Sequence, residues 1–287
     1  MTTTLEAATD TRPGSDLPGV EKDVTSPGVG LDARVSTFSG LAETYRDSFA
    51  SLCEGTIERL LADTPGGSHL DVGCGTGALA ARAASLGRAV VAVDADPQMV
   101  DISKTVVAGA VLEASLPDLP FDDDTFDAVT ANFVVNHVGD PRAAMRELAR
   151  VTRPGGRVAA TTWPAQPSEW GLLVAEAFAA AGVVPSPSQN LSPELDFERS
   201  VDGLRGLAES AGLEVLAAEQ LTWRWHVAVD TLWRGVAGGV ARAGQTFLAQ
   251  TPEVQHSAER AFREAAAKLA HDGMLGLAST AAYVVAT

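Results

Sequence analysis

Short apolar runs and amphipathic segments alternate along the middle of this chain. Five runs have the length and the apolar, often β-branched, content of buried strands: 69–72, 89–93, 110–112, 126–133 and 157–162. Three segments between them place apolar residues at helical spacing: 78–86, 97–107 and 141–152. Such alternation implies right-handed crossovers. We therefore predict an α/β fold in which a doubly wound, mostly parallel sheet is covered by helices on both faces.

The segments that flank this block predict further elements. Apolar positions recur at helical spacing over 38–61, which indicates one or two helices in front of the sheet. Beyond residue 162 the pattern predicts two helices and two strands: 170–181, 201–211, 214–225 and 281–286. Roughly fifty residues separate the last two strands, and an insertion of that size on a compact sheet is usually a lid or a binding element.

Composition divides the chain into a tail and one domain. Residues 1–34 are rich in Thr, Pro, Gly, Asp and Ser and carry few apolar side chains, which predicts a disordered tail. Residues 35–287 are predicted to form a single domain. Three parts of that domain are predicted to be helical lid elements: 35–62, 165–200 and 228–272.

Charge and cysteine content narrow the class of protein. The formal net charge of −16 argues against broad binding to nucleic acid or to an anionic membrane surface. Two cysteines, Cys53 and Cys74, allow neither a disulfide framework nor a zinc site. No apolar run approaches the roughly 20 residues that span a bilayer, and residues 1–5 lack the basic region of a signal peptide. We expect a cytoplasmic protein.

The strongest chemical signal is the run DVGCGTG over 71–77, between the first strand and an alanine-rich helix. Glycines there allow the backbone to approach a ligand closely, and the helix amino terminus favours an anionic group. Asp94 ends the second strand, where a carboxylate accepts hydrogen bonds from ribose hydroxyls. Nicotinamide and adenosylmethionine cofactors both use this arrangement, and Gly73, Gly75 and Ala78 also fit the dinucleotide pattern.

Five further motifs follow the glycine run in order: LPFD at 119–122, TFDAV at 125–129, NHVGDP at 136–141, ELARV at 147–151 and RPGGRV at 153–158. With them, the chain resembles the class I S-adenosylmethionine-dependent methyltransferases, in the branch of ubiquinone/menaquinone-type and natural-product small-molecule enzymes. The resemblance covers 38–162 in detail and the remainder by topology. It implies a seven-stranded Rossmann-like sheet with an antiparallel last strand and a helical lid.

The resemblance also implies S-adenosylmethionine as the cofactor and places its binding residues. The methionine and ribose parts would contact the glycine loop, namely Asp71, Gly73, Cys74, Gly75 and Gly77, and the ribose would contact Asp94. Adenine would lie against Ala95, Met99 and Leu116, with Ser115 where the family often has an aspartate. The methionine moiety would be flanked by Asn132 and Phe133, with Tyr45 folded over the cofactor.

Candidate residues for the acceptor are less specific. His137 and His226 are candidates for proton transfer, because an unperturbed imidazole titrates near neutral pH. The carboxy-terminal tryptophans suggest a pocket for a flat or apolar substrate: Trp163, Trp223, Trp225 and Trp233. Strand alternation places Arg224 and His226 on the face opposite Trp223 and Trp225. The remaining histidines are expected at the surface or at strand edges: His69, His256 and His271. No metal site is expected.

The expected activity is methyl transfer from S-adenosylmethionine to an O, N or C atom of a small molecule, in secondary or quinone metabolism. No nucleic-acid or membrane partner is expected, and a monomer or a homodimer is compatible with the chain. One alternative is a protein that binds the cofactor without transferring the methyl, as a cyclase or a binding module. Another is a NAD-dependent oxidoreductase, but neither Tyr45 nor Tyr283 has the lysine four residues on that such enzymes use.

Overall fold

The computed structural model describes residues 40–186 and 191–287. The predicted tail, 1–34, and the beginning of the first predicted lid element lie outside the described residues. Within these ranges one sheet contains seven strands: β1 Ser68–Val72, β2 Ala89–Asp94, β3 Ala110–Glu113, β4 Phe126–Asn132, β5 Thr152–Thr162, β6 Val215–Ala228 and β7 Met274–Ala286. Their order is β3-β2-β1-β4-β5-β7-β6, and only β7 runs antiparallel to its neighbours. The predicted fold class is confirmed.

Helices connect the strands and extend the carboxy-terminal half. The described α-helices are α1 Ala42–Arg46, α2 Ala50–Cys53, α3 Ile57–Asp63, α4 Ala78–Ser85, α5 Pro97–Lys104, α6 Pro141–Val151, α7 Glu169–Ala180, α8 Val201–Ser210, α9 Val229–Ala237, α10 Ala241–Leu248 and α11 Pro252–Leu269. A 3-10 turn, Glu54–Thr56, joins α2 to α3. The segment before the sheet is thus three short helices where one or two were predicted. Among the described helices, none has the length and apolar content that crossing a bilayer requires.

Local signals explain where the central helices begin. Asp96 accepts hydrogen bonds from the backbone N–H groups of Gln98 and Met99, and Pro97 occupies the first position of α5. Asp140 accepts from the N–H of Ala143 at the start of α6 in the same way. Such caps satisfy backbone donors that have no partner inside the helix. The loops that precede α5 and α6 follow the parallel strands β2 and β4, so they lie at the carboxyl edge of the sheet.

The sheet is buried on both faces, which explains why the central strands are nearly continuous apolar runs. One face packs under α6 and α8, through residues such as Met145, Leu148 and Leu204. The other packs under α3, α4 and α5, through residues such as Leu60 and Leu79. Helices therefore occupy both sides, as a doubly wound sheet requires.

A third apolar cluster lies beyond the carboxyl edge of the sheet. The strands β6 and β7 pair over their whole length, and their outer parts extend past the parallel strands. These outer parts pack with α7, α9, α10 and α11, and with Phe49 and Leu52 from the amino-terminal segment. We call this cluster the lid core.

The expectation that His69 lies at the surface or at a strand edge is wrong. His69 is in β1, between β2 and β4, and its side chain is completely buried. A central strand has no exposed face in a doubly wound sheet, so the imidazole must find its hydrogen bonds inside the protein. His256 and His271 are exposed, as expected.

Candidate active site

A cleft opens where β1 and β4 end. The strand order reverses between these two strands, which is where open α/β sheets bind ligands. Six of the predicted cofactor residues line this cleft: Tyr45, Asp71, Gly73, Cys74, Gly75 and Asn132. The structure thus brings together residues from the amino-terminal helices, the glycine loop and the end of β4.

All three glycines of the loop have a positive φ, but their surroundings differ. A Cβ on Gly73, at a φ of 65°, would collide with Val134. A Cβ on Gly77, at a φ of 88°, would collide with Ser103 and with neighbouring valines of the next helix–strand connection. Gly75, at a φ of 54°, has no atom within 4 Å of the position that a Cβ would take. Gly73 and Gly77 therefore allow the chain to pack, whereas Gly75 leaves open space.

Asp71 carries a buried carboxylate into the cleft. Its Oδ1 accepts a hydrogen bond of 2.9 Å from the Thr130 hydroxyl, and its Oδ2 is buried without a partner among the described residues. The pKa of Asp71 is raised to about 7, chiefly by burial and also by the charge of Asp94. The Thr130 hydroxyl and the backbone N–H of Ala80 act in the opposite direction. A cationic ligand group beside Oδ2 would supply the missing partner.

Asp94 is oriented by backbone groups at the end of β2. Its Oδ2 accepts from the N–H of Gly75 at 2.8 Å, and its Oδ1 accepts from the N–H of Asp96 at 2.9 Å. Burial raises the pKa of Asp94 against these bonds, which lower it. Each carboxylate oxygen can accept a further hydrogen bond. The side chain is thus held in place and still able to accept from two hydroxyls.

Asn132 joins the amino-terminal segment to the sheet. Its Oδ1 accepts from the hydroxyls of Thr56 and Thr161, at 2.8 and 2.6 Å, and its Nδ2 donates to the Cys53 carbonyl at 3.0 Å. The Tyr45 hydroxyl donates to the Cys53 thiol at 3.3 Å. Burial raises the pKa of that thiol to about 11, so it stays neutral near pH 7. The amino-terminal segment therefore forms one wall of the cleft.

The predicted adenine residues lie at the ends of β2 and β3. Ala95 and Ser115 are exposed, Leu116 is partly buried and Met99 is buried. The backbone N–H of Ala114 donates to the Asp94 carbonyl at 3.0 Å, which brings the two strand ends together. None of these four predicted residues lines the cleft itself. Their role in cofactor binding stays a prediction.

An aromatic cluster follows Asn132 at the end of β4. Phe133 has a φ of 60°, a value that bulky residues rarely adopt. Residues with such strained backbone conformations concentrate at functional sites. The Phe133 ring stacks on Trp163 at 3.9 Å between centroids, and Trp223 lies 6.1 Å from Trp163. The indole nitrogen of Trp223 and the hydroxyl of its cross-strand neighbour Ser279 are buried without partners among the described residues. Trp223 packs so closely on Gly55 that a Cβ there would collide with its ring.

The other two predicted substrate tryptophans belong to the lid core. Trp225 is buried, and its indole N–H donates to the Ser51 hydroxyl at 3.0 Å. Trp233 is buried between Phe262, at 4.8 Å between centroids, and Phe247, at 5.2 Å. Both side chains therefore pack the lid core. Trp163 and Trp223 are partly buried against it, and none of the four tryptophans lines the cleft.

The two candidate histidines lie away from the cleft lining. His137 is exposed on the turn after β4, and its backbone N–H donates to the Val134 carbonyl at 2.8 Å. His226 is exposed on β6, on the face opposite the buried Trp225, as strand alternation predicts. In the described part of the chain, no three His, Cys, Asp or Glu side chains are grouped as metal ligands.

Sequence reasoning missed several residues of the site. Cys53 and Thr56 contact Asn132 although they are 79 and 76 positions away in the chain, and no local pattern announces this. Thr130 could have been found, because it pairs with Asp71 in neighbouring parallel strands. His69 lies two positions before Asp71 on the same strand and thus on the same side, which was a readable signal.

Comparison with known proteins agrees with this geometry. Residues 70–160 match the model of a family described as a methyltransferase domain. A demethylmenaquinone methyltransferase of Clavibacter sepedonicus is 41% identical over 104 residues, which cover 35% of this chain and 42% of the relative. A ubiquinone biosynthesis O-methyltransferase of Xanthomonas oryzae pv. oryzae is 34% identical over 129 residues, which cover 43% and 54%. This chain thus spans about half the length of the curated relatives it matches.

A solved structure supports the fold independently of sequence. A SAM-dependent methyltransferase from Thermotoga maritima superposes with a TM-score of 0.50 at 15% identity, covering 88% of this chain and 97% of that one. Its likeness concerns the fold alone. The family match begins in β1, includes the glycine loop and Asp94, and ends in β5. Residues 70–160 are therefore similar to a methyltransferase domain, and they lie in a sheet that has the fold of the solved methyltransferase.

Proposed function

We propose that this protein transfers a methyl group from S-adenosylmethionine to an O, N or C atom of a small-molecule acceptor. The observation that carries the proposal is the cleft at the switch point, where Asp71 presents an unpartnered buried oxygen beside the open space at Gly75. An ammonium group would pair with Asp71, and a ligand chain would fit against Gly75. Asp94 would accept from the ribose hydroxyls. The residues present thus fit this cofactor.

The cofactor, when bound, supplies a methyl group already activated on a sulfonium. The protein then has to position the acceptor in line and exclude water. Tyr45 and the segment that Asn132 holds to the sheet are proposed to cover the cofactor, since both line the cleft. A general base is needed only for acceptors that must lose a proton. His137 and His226 stay predictions for that role, since neither lines the cleft.

The acceptor is proposed to bind against the aromatic cluster of Phe133, Trp163 and Trp223. These rings offer apolar faces next to Asn132, while Trp223 Nε1 and Ser279 Oγ are polar atoms in need of a partner. Such a wall suits a flat, partly apolar molecule that has one polar group. The names of two relatives concern menaquinone and ubiquinone, which supports a quinone-like acceptor. A place in secondary metabolism and a cytoplasmic location are part of the proposal without support from these names. The helices around the lid core are proposed to act as its lid.

The first test is calorimetric titration of the full chain with S-adenosylmethionine, with NAD titrated beside it. We expect binding of the first and none of the second. The protein is then incubated with S-adenosylmethionine and a panel of quinols, phenols and amines, and S-adenosylhomocysteine is measured. Formation of S-adenosylhomocysteine that depends on one acceptor class supports methyl transfer. Binding without any S-adenosylhomocysteine over a broad panel favours a non-transferring protein, and binding of NAD alone contradicts the proposal.

A further inference from the structure

A buried chain of hydrogen bonds runs along β1 and ends at Asp71. Arg88 Nη1 lies 3.0 Å from His69 Nδ1, and His69 Nε2 lies 2.9 Å from the Thr130 hydroxyl. That hydroxyl lies 2.9 Å from Asp71 Oδ1. His69, Thr130 and Asp71 are all buried, so no solvent competes for these bonds.

The donor and the acceptor of every hydrogen bond in this series follow from Arg88, its first member. A guanidinium can only donate, so His69 Nδ1 must accept and carries no proton. A neutral imidazole then has its proton on Nε2, which donates to Thr130. The pKa of His69 is lowered to about 3 by burial and by the charge of Arg88, so the ring is neutral near pH 7. Thr130, whose oxygen already accepts, is left with one proton to give.

Asp71 is the preferred receiver of that proton. The other acceptor within reach of the Thr130 hydroxyl is the Leu70 carbonyl, at the longer distance of 3.4 Å. A hydrogen bond to a charged oxygen is stronger and shorter than one to a neutral carbonyl. The chain of donors therefore ends on Oδ1 of Asp71 and leaves Oδ2 to the cleft.

Further hydrogen bonds fix the position of the Arg88 guanidinium. Arg88 also donates to the carbonyls of Leu61 and Thr64, at 2.5 and 3.0 Å, and to the Thr64 hydroxyl at 2.9 Å. These groups belong to the end of α3 and the residue that follows it. With its donors spread over four acceptors, the guanidinium cannot turn away from His69 without losing the others.

We propose that His69 is a positioning residue of the cofactor site, which acts through Thr130 to hold the Asp71 carboxylate ionised and turned toward the ammonium group of the cofactor. This inference rests on the proposed function, since it assumes that the cleft binds S-adenosylmethionine. His69 is not itself among the residues that line the cleft. Its effect is to set the direction of the Thr130 hydroxyl.

Other titratable groups near Asp71 favour its neutral form. The negative charge of Asp94 acts in this direction. The cleft is also lined by the Glu54 carboxyl group and by Tyr45, Cys53 and Cys74, whose pKa values are raised by burial. Against this background, a donated hydrogen bond favours the ionised carboxylate. Loss of that bond should therefore raise the pH at which Asp71 ionises, and affinity for a cationic ligand should fall most at lower pH.

The test follows the ionisation of Asp71 directly, in the free protein. Aspartate labelled with 13C at the carboxyl carbon is titrated by NMR, and the Asp71 signal is assigned from its loss in Asp71→Asn. Thr130→Val should raise the midpoint by about one to two pH units. His69→Leu should raise it by a smaller amount, and His69→Gln, whose amide can still donate to Thr130, should lie closer to the wild type. The control is Thr162→Val, because Thr162 is equally buried but its hydroxyl has no partner among the described residues.

Calorimetric titration with S-adenosylmethionine then links this ionisation to binding. Relative to the wild type, Thr130→Val should weaken affinity by about fivefold or more at pH 7 and by about twofold or less at pH 9. A loss of packing would weaken affinity equally at both pH values. If the wild type binds no S-adenosylmethionine, the proposed function fails. The NMR titration still decides whether His69 and Thr130 influence the ionisation of Asp71.

Two results would overturn the inference. One is an unchanged Asp71 midpoint in both Thr130→Val and His69→Leu when their spectra show a native fold. The other is a shift in Thr162→Val as large as that in Thr130→Val. If His69→Leu does not fold, Thr130→Val and His69→Gln decide the matter.

Discussion

The glycine-loop half of the molecule and the lid core are built on different principles. In the first, backbone groups of one loop position a functional side chain at a strand end, as with the N–H of Gly75 that orients Asp94. In the second, side chains from distant segments meet, such as Phe49, Trp233 and Phe262. A site made by backbone geometry needs particular residue types at fixed spacing. A site made by packing needs only volume, so sequence motifs reveal the first and conceal the second.

The largest effect is expected at the open position of the glycine loop. Gly75→Val should abolish S-adenosylmethionine binding, because the branched side chain would occupy the space that is open in the structure. Calorimetric titration measures this. The control is Gly87→Val, since Gly87 also has positive φ and open space but lies after α4, away from the cleft. Both variants carry a similar backbone strain, so equal loss of binding in both would contradict the assignment of the loop.

A large effect on stability, without one on cofactor binding, is expected in the lid core. Trp233→Ala should lower the free energy of unfolding by about 3–5 kcal/mol, as is usual for truncating a buried aromatic side chain. Denaturant unfolding measures the loss, and calorimetry should show unchanged affinity for S-adenosylmethionine. Unaltered stability together with a raised KM for the acceptor would instead support the predicted role of Trp233 in substrate binding.

An intermediate effect is expected at the end of β2. Asp94→Ala should weaken S-adenosylmethionine binding by about 1–3 kcal/mol, which is the usual cost of losing a hydrogen bond to a charged group. Asp96→Ala is a matched control, because Asp96 caps α5 and its removal should lower stability by about 1 kcal/mol without weakening binding. An unaltered dissociation constant in Asp94→Ala would move the ribose contact elsewhere.

The smallest effect distinguishes two neighbouring tryptophans. Trp225→Phe removes the hydrogen bond to Ser51 and should lower stability by about 1 kcal/mol beyond the loss of ring volume. Trp223→Phe removes an indole N–H that has no partner among the described residues, so its cost should be smaller. Thermal unfolding compares the two. Only Trp223→Phe is expected to change the KM for an acceptor, and a change in Trp225→Phe instead would place the acceptor nearer the lid core.

Prediction from the sequence succeeded where elements are set by local patterns. All seven strands overlap the predicted runs, although β5 begins at Thr152 and β7 at Met274, before the predicted starts at 157 and 281. The caps at Asp96 and Asp140 begin their helices as residue type suggests. The glycine loop and Asp94 adjoin the cleft or line it. Each of these depends on residues close together in the chain.

The features that the sequence did not predict depend on contacts between residues that are far apart in the chain. His69 was misplaced because its burial is decided by β2 and β4, and its partners Arg88 and Thr130 are 19 and 61 positions away. Trp233 is buried in the lid core, and an aromatic side chain has the same sequence signature in a core as in a pocket, so its role in substrate binding stays a prediction. The stacking of Phe133 on Trp163 likewise requires the end of β4 to meet the end of β5.

The pairing of Ala228 with Met274 has a consequence for how such proteins diversify. These residues are partners in the β6–β7 ladder, and the N–H of Val229 bonds to the Gly273 carbonyl at 3.0 Å. The helical insertion between them therefore leaves and rejoins the sheet at adjacent points, as the loop of a hairpin does. An exchange of this whole segment for another would leave the ladder's ends in register. The hairpin is thus a natural joint at which one helical segment could replace another without disturbing the parallel strands that carry the glycine loop.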